Sequence, residues 1–397
     1  MIYLNNNGSY DSRFWTIPSD GVLSSVKNKI LSKYPGFNFK YDWKKYPEIQ
    51  DYLLRLMASS MVNALANKNN ELYRRLPELI NDVEEFFESG IKAKIFDEKN
   101  IYSILDRLKD ANKGFRVIEF LPPEYSGVYG ISLNERIYIN SNSTRHKNSP
   151  SLTSDEIRRL YIFHEMGHKV LNISKQEEVI NDYINTFEKI LSIKGMSMSQ
   201  KGKDKGKELV KEGFLMIEES LTQELAEYLT YFSANKKRPH YRKDRDLGCD
   251  IVTNHDYYGI FQMPTVSLGE TIMKDSNNKT AEEILLNTIK LSINSNFILE
   301  LVSQYSHGNG QLYYDLYSIL TYMGAVKINK YASFGNGSPI TFDMGKALKE
   351  IREITTKNRD VLQDILEKYR LTKWIDFKDY QNDENEESQI FSNGRKR

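Results

Sequence analysis

The residues of this chain best suited to chemistry lie in "YIFHEMGHKV", positions 161 to 170, where two histidines stand four apart and a glutamate follows the first. On an α-helix, positions four apart lie one turn above each other on the same face. His164 and His168 can therefore aim both imidazoles at one point. Neutral imidazole nitrogen is a preferred zinc ligand, at about 2.0–2.1 Å. Glu165 is one residue round the helix. It sits beside such a metal and not on it, where a carboxylate can hold and deprotonate a water. That is the layout metal-assisted amide hydrolysis requires: the metal acidifies the water and polarises the scissile carbonyl, and the carboxylate accepts the proton. The plain alternative is a helix that carries two histidines and no metal.

A catalytic zinc site needs a third protein ligand and one open position. "KVLNISKQEE" follows His168 and offers no nearby third histidine. His240, His255 and His307 are remote and in loop-like surroundings. "MIEESLTQELAEYL", positions 216 to 229, supplies Glu218, Glu219, Glu224 and Glu227 instead. Its apolar residues, with Phe214 just before them, are Ile217, Leu221, Leu225, Tyr228 and Leu229, and they define a buried stripe. Neither Glu218 nor Glu219 is at the centre of that stripe, so periodicity leaves both open. Glu224 and Glu227 read as a solvated or structural helix face.

The elements that must position these side chains follow from the hydrophobic period. Residues 1 to about 40 have weak periodicity. From Pro47 to Leu108 the pattern is helical: Ile49, Tyr52, Leu53, Leu56 and Met57 form one stripe, and Leu79, Ile80, Val83 and Phe86 another that closes on Gly90 as a C-cap. The period then changes. "FRVIEFLP", "YSGVYGISL" and "RIYINSN" are strand-like, and "GISLNERIYIN" reads as a hairpin turning at Asn134 and Glu135. Thr153 and Glu156 make a capping box for a helix in which Ile157, Leu160, Tyr161, His164, His168 and Leu171 share a broad face. Gly167 is a poor helix former whose small size would let another backbone pass close. The basic, glycine-spaced stretch "KGMSMSQKGKDKGK" reads as a solvated loop or helix end, and a second strong helix begins near Phe214. Helical patterns return after about Thr280, and the end of the chain is polar. The expected organisation is a helical N-terminal region (1–114), a catalytic core (115–275), a helical C-terminal region (276–378) and a disordered tail (379–397). The fold class is α+β, mostly helical.

The motif His164-Glu165-x-x-His168, followed by a helix bearing "EESLTQELAEYL", resembles the gluzincin group of zinc metallopeptidases. The resemblance covers Val117 to about Phe232 and implies a zincin-like core, a small antiparallel or mixed sheet with the active-site helix. It implies Zn2+ as cofactor and places the third ligand at Glu219, with Glu218 the competing choice and Ser220 standing where glycine is common. Gln223 would then point the same way as Glu219 and could hydrogen-bond a ligand histidine. Gluzincins often add a Tyr or His that stabilises the oxyanion. "NHDYYGIF" offers His255, Tyr257 and Tyr258 for that role, although with 26 tyrosines in the chain, packing accounts for many. The resemblance also gives an edge strand, Gly127–Ser132 or Arg136–Asn140, the task of pairing with extended substrate backbone. The spacing from His168 to Glu219 exceeds that of compact members, and the "KGKDKGK" stretch has the look of an insertion.

Composition narrows the class. Lys and Arg number 55 against 54 Asp and Glu, so net charge gives no reason to expect a nucleic-acid or anionic-membrane partner. The single cysteine, Cys249, excludes an intramolecular disulfide and reads as a small buried hydrophobe. No run of about 18 apolar residues is present to span a membrane. The first residues lack a basic segment followed by an apolar one, so a cytoplasmic protein is expected, although a removed leader would leave no trace. The expected activity is zinc-dependent endopeptidase action on a peptide or protein substrate. The alternatives are an intracellular regulatory zincin that cleaves one dedicated protein, and a non-catalytic metal-binding interaction protein. A purely structural site has no use for Glu165, which counts against the last. The sequence does not set the oligomeric state.

Overall fold

The computed structural model describes residues 20–109, 114–121, 129–133, 135–141, 152–171, 200–238 and 279–294, with isolated positions between and after them. The described elements are mostly helical with one small mixed sheet, an α+β arrangement. The chain divides into two compact units, Met1–Leu171 with Thr222–Pro239 and Asn172–Leu221 with His240–Arg397.

Helix α1 (Asp20–Lys33) lies where the sequence shows little period. The reason is visible in its last two turns, where Ile30 is buried among exposed Lys27, Asn28, Lys29, Ser32 and Lys33. Helix α2 (Pro47–Ala66) opens with proline, whose missing N–H costs nothing at a helix start. Its expected stripe is buried, but so are Leu54, Arg55, Ala58, Ser59 and Ser60, so α2 is surrounded on nearly every side. Helix α3 (Asn70–Lys92) is capped by Asn69, whose side chain accepts from the Leu72 N–H at 3.0 Å. Gly90 does not end it. The helix runs on to Lys92, and a Cβ at position 90 would collide with the ring of Phe96. The glycine is there to let the chain fold back, and the Gly90 carbonyl accepts from both Ile95 and Phe96 at 2.9 Å. Helix α4 (Ile101–Lys109) buries Ile101, Ile104, Leu105 and Leu108.

Strands β1 (Val117–Phe120), β2 (Gly130–Leu133) and β3 (Arg136–Ile139) form a sheet in the order β1-β3-β2. β1 is parallel to β3, and β2 is antiparallel to it. Leu133 pairs with Arg136, so the hairpin turns where expected, and Glu135 takes the left-handed conformation (φ 64°) that such two-residue turns demand. β3 is the central strand. Of the two segments proposed for substrate pairing, Gly127–Ser132 overlaps β2, which lies at an edge of the sheet among the described residues, whereas Arg136–Asn140 holds the central strand β3.

Helix α5 (Ser154–Leu171) follows the sheet. Its capping box is formed: the Thr153 N–H donates to Glu156 Oε2 at 2.6 Å, and the Glu156 N–H donates to Thr153 Oγ1 at 3.3 Å. One face packs on β2 and β3, and another on α3 and α4. A buried ion network fixes it to α3. Arg158 Nε donates to Asp82 Oδ2 at 2.6 Å and Arg159 Nε to Asp82 Oδ1 at 3.4 Å, while Arg158 also pairs with Glu78. Both carboxylate oxygens of Asp82 are thus engaged. Breaking the buried Arg158–Asp82 pair from one side would leave uncompensated charge, so the pair ties α5 to α3. The ring of Phe163 meets Phe86 edge-on, 5.3 Å between centroids.

Helix α6 (Gln200–Ser233) spans 34 residues and starts well before Phe214, where the strong apolar pattern begins. Its first turns come from the basic, glycine-spaced stretch. Lys, Gln and Glu are good helix formers, and Gln200 Nε2 donates to Asp204 Oδ1 one turn on at 3.0 Å. These local gains outweigh glycines that read as loop residues. Helix α7 (Ala281–Asn294) has its own capping box, Thr280 with Glu283. Among the described residues, no helix is long and apolar enough to cross a membrane.

Candidate metal centre

His164 and His168 occupy successive turns of α5, which the capping box starts and the Arg158–Asp82 pair ties to α3. Their Nε2 atoms lie 3.2 Å apart, with the rings nearly perpendicular at 85°. Two ligands on one tetrahedral ion at about 2.0–2.1 Å are about 3.3–3.4 Å apart, so this pair is already at chelating separation. Glu219 of α6 joins them: the ligand atoms of His164, His168 and Glu219 all lie within 4.8 Å of one another. His164 is buried, and the other two are half-buried. Two imidazole nitrogens and one carboxylate oxygen are a donor set that suits zinc with a position left for water. Glu218, the neighbouring candidate, is buried and is not in this group.

Gly167 explains how α6 comes so close. A Cβ there would lie 2.9 Å from Thr222 Cγ2 and 3.5 Å from Thr222 Cα. Thr222 is one turn after Glu219 on the same helix. The missing side chain, which costs about 0.8–1 kcal/mol of helix propensity, lets the backbones cross where the ligand must arrive. Gly167→Leu is therefore expected to destabilise the fold by about 1–3 kcal/mol through overpacking and, as α6 is displaced, to weaken any zinc binding at the His164–His168–Glu219 group. Denaturant unfolding with zinc titration on the same samples checks both effects.

Glu165 is buried beside the sheet, with its carboxylate against the backbone of Gly130 at the start of β2. One turn earlier, Tyr161 stacks flat on Tyr129, with centroids 4.8 Å apart and planes 6° from parallel. Gly130, the first residue of β2, and Tyr129 just before it thus meet two successive turns of the helix that carries the motif.

Beyond Glu219, α6 carries a polar face. Gln223 and Glu227 follow at four-residue steps and so project from the same side. The Gln223 amide nitrogen donates to Glu227 Oε1 at 2.8 Å. Its amide oxygen is accordingly the atom that would serve a histidine N–H. Arg238 clamps Glu224 with both terminal nitrogens, at 2.6 and 2.8 Å, and reaches Glu227 at 2.9 Å. Burial pushes the Glu227 carboxyl above its ordinary range, against the pull of Arg238 and Gln223. Glu224 and Glu227 are both buried, so of the two roles open to this face, the structural one is observed. No family model, curated protein or solved structure matches this chain.

His255, Tyr257 and Tyr258, read as oxyanion candidates, lie outside the described residues, as do His240, His307 and Cys249. Sequence reasoning did not single out Gly130 or Arg238. A glycine inside a strand pattern, in "VYGISL", is a signal for close backbone approach and could have marked Gly130. Arg238 had no such signal, because its partners are 11 and 14 positions away in an otherwise ordinary basic segment.

Proposed function

We propose that this protein is a zinc-dependent metalloendopeptidase of gluzincin type, with a zincin-like core. The observation that carries the proposal is the convergence of His164, His168 and Glu219, with the buried carboxylate of Glu165 adjoining on the same helix. The donor set fits zinc, which when bound supplies a Lewis acid that acidifies water and polarises the peptide carbonyl.

The chain's own residues do the rest. His164 and His168 hold the metal from one helix and Glu219 from another. Glu165 takes the proton of the attacking water and passes it to the leaving nitrogen. Burial of Glu165 keeps bulk water from competing for it. β2 is an edge strand that begins beside Glu165. An extended substrate backbone pairing with it would run past the catalytic carboxylate, and main-chain hydrogen bonds would supply binding while side-chain pockets supply selectivity. The substrate on this reading is a peptide or an unfolded segment of a protein.

The test is direct. Protein loaded with one zinc per chain is expected to cleave an unfolded protein such as reduced casein, to lose that activity on chelation and to regain it on zinc addition. Tight zinc binding without cleavage of any member of a broad peptide library would instead assign the centre a structural role.

A further inference from the structure

We infer that Gly130 is a positioning residue: its bare Cα sets where the carboxylate of Glu165 lies. This rests on the peptidase reading above, but its central measurement does not. A Cβ at position 130 would sit 2.9 Å from Glu165 Oε1 and 3.3 Å from Glu165 Cγ. The first distance is shorter than Cβ contacts in proteins, so the carboxylate oxygen must move, and the second is tight enough that Cγ must give by a few tenths of an ångström. Tipping the carboxylate relieves the first contact, and the second also draws the inner part of the side chain away from the strand.

The strand is held by its backbone pairing. The same Cβ would lie 3.4 Å from the Tyr138 carbonyl oxygen of the central strand β3, an ordinary contact. Gly130 is itself paired with Ile139, and the Tyr129 carbonyl accepts from the Asn140 N–H at 3.0 Å. The stack of Tyr129 on Tyr161 anchors the strand to the helix one turn away. The rigid partner is therefore the sheet, and the movable one is the Glu165 side chain.

The backbone itself does not require glycine. Position 130 is extended, and its φ lies outside the left-handed region. An alanine fits the strand's conformation and reduces the freedom of the unfolded chain, which favours folding. The glycine thus gives up stability for the space it leaves to Glu165. Catalytic groups must be held within about 0.5 Å of productive geometry, and a misplacement of about 1 Å can cost roughly 100-fold in rate. None of the three proposed metal ligands touches position 130 among its nearest neighbours.

Gly130→Ala separates this role from a structural one because the two predict opposite signs. The variant is expected to keep or raise its melting temperature, to bind one zinc with unchanged affinity, and to lose about 10- to 100-fold in kcat with KM changed little. A structural role would lower stability and activity together. The measurement that does not depend on activity is a crystal structure of the metal-free variant. Glu165 should have turned away from its wild-type position by more than about 0.5 Å while the α5 backbone stays in place. An unmoved Glu165 with a shifted β2 overturns the inference. If wild-type protein loaded with zinc cleaves nothing, the peptidase reading fails, and the crystal structure still decides whether Gly130 places Glu165.

Discussion

On the proposed mechanism, Glu165→Gln is expected to bind zinc as tightly as the unmodified chain and to lose about 10²–10⁴-fold in kcat, the usual contribution of a positioned general base. That range corresponds to about 3–5 kcal/mol of transition-state stabilisation. The substitution is nearly isosteric. Gln occupies the same buried space beside Gly130, so the crowding there is unchanged and the fold should persist. What disappears is the ability to accept a proton. The proposed ligands His164, His168 and Glu219 are untouched, so zinc content separates loss of chemistry from loss of the site. KM should change by no more than a few-fold, because Glu165 acts on the proton in transit and not on the bound substrate. Zinc analysis and steady-state kinetics on one preparation measure all three quantities. Full activity in the variant would remove Glu165 from the role of base.

The parts of the site that follow from spacing along one helix were legible in the sequence. His164 and His168 had to face one point once the stretch was helical, and Thr153 with Glu156 announced where that helix starts. The hairpin was equally plain, because strand alternation on both sides fixes a two-residue turn. What could not be read was anything that depends on which surfaces meet. Periodicity left Glu218 and Glu219 open, since both flank the apolar stripe. Only the approach of α6 to α5 at Gly167 and Thr222 brings Glu219 to the histidines. The same holds for the clamp of Arg238 on Glu224 and Glu227, which a helix pattern shows as merely acidic. Gly90 misled because a glycine ending an apolar run usually caps a helix. Here it serves a tertiary contact with Phe96 instead.

That dependence on tertiary approach makes the pair Glu219→Ala and Glu218→Ala the most informative test of the metal centre. Loss of an outer hydrogen-bonding partner alone typically weakens metal binding by 10- to 100-fold, so loss of a direct carboxylate ligand should exceed about 100-fold. Glu219→Ala is therefore expected to come through purification largely without zinc and without hydrolysis. It should nonetheless remain folded, because Glu219 is only half-buried and the apolar stripe of α6 is intact. Glu218→Ala should behave in the opposite way. Glu218 is buried on α6 but does not belong to the group of three, so its removal should be felt in stability and leave zinc affinity within a few-fold of wild type. Competitive zinc titration against a chromogenic chelator, with thermal unfolding of the same samples, resolves the two cases. Zinc loss confined to Glu218→Ala would transfer the third ligand to that residue. It would also imply that α6 turns by roughly 100° when the metal binds, the angle between successive residues of a helix. Such a rotation would have to break the close crossing of Gly167 and Thr222. The tightness of that crossing is the physical reason for assigning the ligand to Glu219.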